Sequence, residues 1–494
     1  MTETERPIAD RDGRTDISIS DRDGPRDECG VFGLFAPGHE VARLAYFALY
    51  ALQHRGQESA GIATCDEGGH ITTLRETGLV SQVFDEEKLR ALDGDMAIGH
   101  VRYSTTGGGS WENSQPVWRD DGREVALAHN GNLTNAVELF TELRRDGIEF
   151  RGTSDSEIIA ALLSVEEARP IENAVAAVMP RLEGAYSTVV MTKRAVVAFR
   201  DPHGVRPLSL GRLGDRYCVA SESCAFDIIG GELMREVQPG ELVALTEDGI
   251  ETRQIVPAER PAHCVFEHIY FSRPDSRLEG RVLQEVRGRM GEILAREAPA
   301  DADLVISVPD SGNPAANGYA RASGLPKDDG LIKNRYVART FIQPGQELRK
   351  HGLRMKFNPL PEIVSGKRVV VVDDSIVRGN TTRQIVGMLR DAGATEVHLR
   401  ISAPPIRHPC HYGVDMSTRE EMIAHERSVE EIARELGADS LAYLSIDGVY
   451  EAVGTPRKVH CDACFTGEYP LGDGGDGDGK FALEELPVAS ATPH

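Results

Sequence analysis

From Cys29 to about residue 260 the apolar positions come in short runs, CGVFGLFA, MAIGHVRYS, EVALAHNG, AYSTVVMT and AVVAFRD, each bounded by Gly, Asp or Pro. Runs of this length closed by turn formers predict β-strands. Two stretches break the pattern. VARLAYFALYALQ at 41–53 and SEIIAALLS at 156–164 carry apolar residues at helical spacing, and predict helices laid over the sheets. From about 265 to 460 the order becomes strand, loop, helix: DLVISV at 303–308, KRVVVV at 367–372 running into TTRQIVGMLRDAGA, then EVHLRISA at 396–403. A nearly continuous apolar strand that flows into a helix predicts a parallel sheet covered on both faces. The expected fold class is therefore α/β, with layered sheets and helices over 29–260 and a doubly wound domain over 261–470.

The two ends lie outside this patterning. Residues 1–28, MTETERPIADRDGRTDISISDRDGPRDE, hold too few apolar residues to offset chain ordering, so a disordered leader is expected. Residues 471–494, LGDGGDGDGKFALEELPVASATPH, are Gly/Asp-rich and are expected to form a flexible acidic tail. With 494 residues and 40% apolar content, the chain can build two or three cores. A formal charge of −23 argues against nucleic-acid binding as the main activity, while leaving room for local basic pockets. No run approaches the roughly 18 apolar residues of a membrane span, and the leader lacks the apolar core of a secretory signal. A cytoplasmic location is expected, and there the eight cysteines read as thiols, metal ligands or nucleophiles before disulfides.

The most specific chemical string is VVVVDDSIVRGNTT at 369–382. A buried strand delivers Asp373 and Asp374 at its C-terminal end, where open α/β sheets place their ligands. The loop beyond carries Ser375, Ile376, Val377, Arg378, Gly379, Thr381 and Thr382 and then becomes a helix. N–H groups at a helix start, hydroxyls and a guanidinium suit a phosphate monoester. Paired carboxylates suit ribose hydroxyls and a hard divalent cation. DDS alone could be an acidic turn capping a helix; the full string asks for more.

That string resembles the phosphoribosyl-pyrophosphate signature of type I phosphoribosyltransferases. The resemblance implies that Asp373 and Asp374 hold the ribose and its Mg²⁺, and that the 375–382 loop holds the 5′-phosphate. It also gives a role to VPDSG at 308–312, a loop that would face the pyrophosphate with Ser311 near the metal. Between them lies GLIKNRYVARTFIQPGQELRKHGLRMKFNP, 330–359, basic within an acidic chain and interrupted by Gly and Pro. Such a segment beside a pyrophosphate site reads as a lid, with Lys333 and Arg335 as candidate pyrophosphate contacts.

Cys29 opens the first apolar run. A free Cys, with pKa near 8.5, needs help to form the nucleophilic thiolate. An α-amino group of pKa about 8 on the same residue could supply the base if Cys29 became the chain terminus. The leader would then be a propeptide; a buried strand cysteine is the alternative. Together with LQHRGQESAGIA at 52–63, GHVRYSTTG at 99–107, HNGNLTNA at 129–136 and TSDSE at 153–157, CGVFG resembles the N-terminal-nucleophile glutamine amidotransferase domain. The resemblance implies αββα layers over 29–260, with Cys29 attacking the glutamine amide. Asn130 and the Gly131 N–H would stabilise the oxyanion, Arg102 and Asp155 would bind the substrate α-carboxylate and α-ammonium, and Arg55 and Gly56 would line the pocket.

Cys461 and Cys464 form a C-x-x-C pair, while Cys264 and Cys410 stand apart. By spacing, zinc and a cubane iron–sulfur cluster fit equally, with paired redox thiols a third choice. The segments resemble the cluster-bearing branch of the glutamine phosphoribosylpyrophosphate amidotransferase family, which implies a 4Fe–4S cluster on Cys264, Cys410, Cys461 and Cys464 and a short propeptide. Membership implies conversion of phosphoribosyl pyrophosphate, glutamine and water to 5-phosphoribosylamine, glutamate and pyrophosphate at the start of purine synthesis. It further implies inhibition by purine nucleotides and a homotetramer. Asn380, Ala338 and residues 327–329 depart from the family pattern. Another amidotransferase of the same N-terminal type would need an acceptor domain unlike 369–382. A noncatalytic phosphoribosyl-pyrophosphate-binding regulator would leave Cys29, Arg102, Asn130 and Asp155 unexplained.

Overall fold

The computed structural model describes residues 28–103, 111–258, 260–334, 356–414, 416, 418–472 and 483. The strand Gly30–Phe35 is buried along its whole length. Its period of two sends Val31 and Phe35 into one core, and Phe32 and Leu34 into another. It sits inside a seven-stranded antiparallel sheet in the order Glu232–Glu236, Ser209–Leu213, Arg216–Ala220, Gly30–Phe35, Met96–Arg102, Ser59–Cys65 and Ile71–Thr77. A six-stranded antiparallel sheet packs on it, in the order Gly249–Gln254, Glu241–Thr246, Val196–Arg200, Gly184–Met191, Val125–Leu133 and Val117–Arg119.

Val31, Ile98, Ala128, Val189 and Val196 fill the space between the sheets. Helix Val41–Ala51 covers the outer face of the first through Ala45, Ala48 and Leu49. Helices Ala136–Arg145 and Asp155–Val165 cover the second. The result is four layers, helix, sheet, sheet, helix, and both helices expected from apolar spacing form.

In the C-terminal half the strands Leu304–Ser307, Arg368–Asp373, Glu396–Ile401 and Ser440–Tyr443 lie side by side in that order, all parallel. The valine run has a simple cause: Val369 and Val371 face a core with Ile385 and Leu389, while Val370 and Val372 face another with Met290 and Ile293. Helices Asn313–Ser323 and Asn380–Asp391 follow the first two strands. Their preceding loops therefore emerge side by side at one sheet edge.

Two residues depart from what composition suggests. Glu28, the last residue of the expected leader, is 0% exposed. Leu483, within the expected flexible tail, is 2% exposed and packs in the core beneath the helices of the second antiparallel sheet. An isolated apolar residue finds a core that its Gly/Asp-rich surroundings conceal. Leader residues 1–27, and the tail beyond Gly472 other than Leu483, lie outside the described residues. No described helix is long and apolar enough to cross a membrane.

Candidate active sites

Pairing of Gly30 with Val101 brings Cys29 beside the end of the Met96–Arg102 strand. The thiol donates to the Tyr103 carbonyl at 3.4 Å. Burial pushes its pKa up to about 11, against the Tyr103 contact and the Arg102 charge, while Glu58 and Asp155 push the same way as burial. Arg102 and Asp155 are thus within electrostatic reach of the sulfur. A Cβ on Gly56 would come within 2.6 Å of the Val101 and Arg102 backbone, so only glycine lets the 55–56 turn lie against this strand end.

Across the sandwich, Asn130 is 0% exposed and neither side-chain polar atom has a partner among the described residues. Leaving a buried amide unsatisfied costs about 1–3 kcal/mol, which points to a group that binds something. Gly131 has φ +146°, and a Cβ there would run into the Ala185 carbonyl. Asp155 Oδ2 accepts the Leu133 N–H at 3.0 Å, and Oδ1 lies 3.6 Å from His129 Nδ1. Burial opposes its ionisation, but His129 and the Leu133 N–H outweigh it and hold the carboxyl below the usual range.

Arg55 differs from the expectation that it lines the glutamine pocket. Its guanidinium is sealed inside an ion cluster: Nη1 is 2.5 Å from Glu222 Oε1, and Nη2 is 2.6 Å from Glu267 Oε1 and 2.9 Å from Glu28 Oε2. Three carboxylates capture the charge because at this burial it must be paired. Nε donates to the Cys29 carbonyl at 3.0 Å, so Arg55 acts on the nucleophile's backbone. Arg206 also bonds Glu28, donates to the Tyr412 carbonyl at 2.8 Å and has Nη2 3.9 Å from Cys410 Sγ. Glu222, Glu267 and Arg206 are absent from the sequence expectations. For Glu267 there is a signal, an acid inside the apolar run CVFEHIYF just after Cys264.

The structure brings the four candidate ligand cysteines together. Cys264 and Cys461 are register partners in a two-stranded parallel sheet, and Cys464 lies in the helix Ala463–Thr466 that follows. Cys410 Sγ accepts the Tyr412 N–H at 3.3 Å. Burial, then the neighbouring thiols, push Cys464 well up; burial raises Cys264 to about 11 against the pull of Arg206. Neighbouring thiols hinder the ionisation of Cys264, Cys461 and Cys464, and such crowding suits a metal centre, which holds its ligands as thiolates. Gly413 packs against Gly131 so closely that its own Cβ would lie 2.9 Å from the Gly131 backbone. The Cys410 loop therefore touches the candidate oxyanion site.

On the parallel sheet, Asp373 is half-buried and its Oδ1 accepts the Asp374 N–H at 2.9 Å, while Asp374 Oδ2 accepts Ser375 Oγ–H at 2.6 Å. A Cβ on Gly312 would come within 2.5 Å of the Val372 carbonyl, so the 308–312 turn with Ser311 rests on the strand end that carries both acids. Lys333 Nζ lies 2.7 Å from Asp310 Oδ2, beside this turn. Gly379, at φ +79°, starts the helix in which Asn380 is exposed, Thr381 half-buried and Thr382 buried. Arg378 Nη2 is 3.0 Å from Glu421 Oε2. The Ile376 and Val377 side chains turn into the cores on either side, which leaves only their backbone for a ligand. Arg335 and Ala338 lie outside the described residues.

Arg287, missed from sequence, lies within electrostatic reach of Asp374. Burial lowers its pKa to about 10 against that charge, and its Nη2 donates to the Ser272 carbonyl at 2.6 Å.

Residues 100–227 match a glutamine amidotransferase domain family and residues 278–436 a phosphoribosyl transferase domain family. A curated amidophosphoribosyltransferase from Synechococcus elongatus is 51% identical over 478 residues, 95% of this chain and 96% of that one. The chain belongs to the amidophosphoribosyltransferase family. Two solved structures agree with this membership. The glutamine phosphoribosylpyrophosphate amidotransferase from B. subtilis, complexed with ADP and GMP, superposes with TM-score 0.84 at 47% identity, over 90% of this chain and 97% of that one. An allosteric regulatory enzyme of purine biosynthesis superposes with TM-score 0.86 at 46% identity, over 93% and 99%.

Proposed function

We infer that this chain carries out the amidophosphoribosyltransferase reaction of purine biosynthesis, converting phosphoribosyl pyrophosphate, glutamine and water to 5-phosphoribosylamine, glutamate and pyrophosphate. One observation carries this: a single chain joins a glutamine amidotransferase domain to a phosphoribosyl transferase domain and matches curated amidophosphoribosyltransferases at about half identity over nearly its full length.

In the amidotransferase domain, assigned to 29–260, the Cys29 thiol attacks the glutamine amide. The α-amino group exposed by removal of the 1–28 leader takes the thiol proton and returns it to departing ammonia. The idle Asn130 amide and the Gly131 N–H bind the developing oxyanion. Arg102 and the ionised Asp155 hold opposite ends of the amino acid, Gly56 lets the pocket wall close on Arg102, and Arg55 fixes the Cys29 backbone. In the domain assigned to 261–470, Asp373 and Asp374 hold the ribose, and Ser375, Arg378, Gly379, Thr381 and Thr382, with the Ile376 and Val377 backbone, hold the 5′-phosphate. Lys333 and the 308–312 turn face the pyrophosphate, with Arg335 a further candidate contact.

Hard oxygen donors on Asp373, Asp374 and Ser311 suit Mg²⁺, which when bound neutralises charge on the leaving pyrophosphate. Cys264, Cys410, Cys461 and Cys464 suit a 4Fe–4S cluster. Support comes from their convergence: Cys264 and Cys461 pair in register, and Cys264, Cys410 and Cys461 all act electrostatically on Cys464. The B. subtilis complex with ADP and GMP supports purine nucleotides as inhibitors. A homotetramer and a cytoplasmic location follow family expectation and the reducing compartment that free thiols need.

The test is a paired assay with glutamine or ammonia as nitrogen donor. Cys29→Ala is expected to abolish the glutamine reaction and leave the ammonia reaction; equal loss of both would overturn the division of labour.

A further inference from the structure

Glu28 is the last residue before Cys29, yet it is among the most deeply sealed acids of the protein. Two buried guanidiniums hold its carboxylate: Arg55 Nη2 at 2.9 Å from Oε2, and Arg206, which bonds Oε1. Arg55 reaches across the 28–29 peptide, since its Nε donates to the Cys29 carbonyl at 3.0 Å. One rigid fork thus fixes the side chain on one side of the bond and the backbone on the other. On the Cys29 side the strand is pinned again where the Val31 N–H meets Ser221 Oγ at 3.0 Å.

We propose that Glu28 is a positioning residue for removal of the leader: Arg55 and Arg206 clamp its carboxylate so that the 28–29 peptide is presented to the Cys29 thiol. This rests on the maturation step inferred above. Cys29 Sγ adds to the Glu28 carbonyl carbon through a five-membered ring, and its proton passes to the Cys29 nitrogen as the C–N bond breaks. The resulting thioester joins the Glu28 carbonyl to Sγ and frees the α-amino group. Water then hydrolyses it, giving the Glu28 carboxylate and the free thiol, with one water consumed and no redox change.

Charge balance supports a clamp that is needed only once. With Glu28 present, Arg55 and Arg206 meet three carboxylates, Glu28, Glu222 and Glu267. When the leader departs, two guanidiniums remain with two carboxylates, so neither buried cation is orphaned. Glu28 therefore serves cleavage without being needed by the mature site.

The experiment expresses the full 494-residue chain anaerobically and follows its N-terminus by intact mass. Wild type is expected to begin at Cys29, while Glu28→Ala and the isosteric Glu28→Gln cleave at least tenfold more slowly. Both variants are expected to keep ammonia-dependent activity, which a misfolded chain would lose. A chain begun at Met followed directly by Cys29, with the Met excised, is expected to show full glutamine activity without Glu28. Cleavage of either folded variant at the wild-type rate would overturn the clamp while leaving the maturation step intact. A wild-type chain that keeps its leader yet uses glutamine would overturn the maturation step, and the clamp with it.

Discussion

Glu267 Oε1 lies 2.6 Å from Arg55 Nη2, with both side chains sealed from solvent. The pair joins the turn behind the nucleophile to the segment after Cys264, and so links the two halves of the chain. In a chain that begins at Cys29 and so lacks Glu28, removing Glu267 leaves two buried guanidiniums with Glu222 alone, at a cost of about 3–5 kcal/mol. Glu267→Gln is therefore expected to lower stability by that order in urea unfolding followed at the amidotransferase domain. The control is Glu421→Gln: its carboxylate is half exposed to water, so the loss should stay below about 1 kcal/mol.

Asn130 gives the opposite balance between stability and activity. Its amide has no partner among the described atoms, so truncation removes an unsatisfied buried group rather than a bond. Asn130→Ala is expected to leave the unfolding midpoint unchanged or raise it. Glutamine-dependent kcat should fall by roughly 10²–10³, the usual effect of losing one oxyanion donor. Ammonia-dependent kcat should be unaffected. A drop in stability matching the loss of activity would show Asn130 to be a structural residue.

The strands around Cys29 and the valine run before Asp373 were legible because burial on both faces leaves a short unbroken apolar string. Asp373, Asp374 and the 375–382 loop were legible because they are contiguous. Arg55 shows where sequence reading stops. Its partners Glu28, Glu222 and Glu267 are scattered through the chain, and no local pattern reveals that they converge. Leu483 fails for the same reason, since its core partners are more than two hundred residues away. Ile376 and Val377 lie within the phosphate-loop string, but its spacing does not say that their side chains anchor the loop instead of touching the ligand.

The cysteine centre can be tested by composition and by removal. Cys264 and Cys461 sit opposite one another on paired strands, and Cys410 reaches in from a third segment. Anaerobically purified protein is expected to hold iron and sulfide near four to four per chain; stoichiometric zinc without iron would sink the assignment. Stripping the metal should lower the thermal midpoint, because it leaves four crowded thiols with nothing to hold them together. Cys461→Ser should do the same without added chelator.

The pH dependence of stability should carry a signature of His100. This side chain is 0% exposed, its Nε2 lies 3.0 Å from the His129 carbonyl, and burial lowers its pKa to about 3, outweighing that hydrogen bond. The unfolded chain binds this proton near pH 6.5 and the folded chain does not. Between those two values the unfolded state holds the extra proton, so folding stability rises with pH and is lost as pH falls below about 6.5. The slope for one group is about 1.4 kcal/mol per pH unit, so about 2 kcal/mol should disappear between pH 6.5 and pH 5 on account of His100. Comparing urea midpoints of wild type and His100→Gln at pH 7.5 and pH 5 isolates it, since other groups cancel in the difference. The variant should lose less stability than wild type across this interval by about that amount, whatever its stability at pH 7.5. Equal losses in the two proteins would mean that His100 takes up its proton in the folded state.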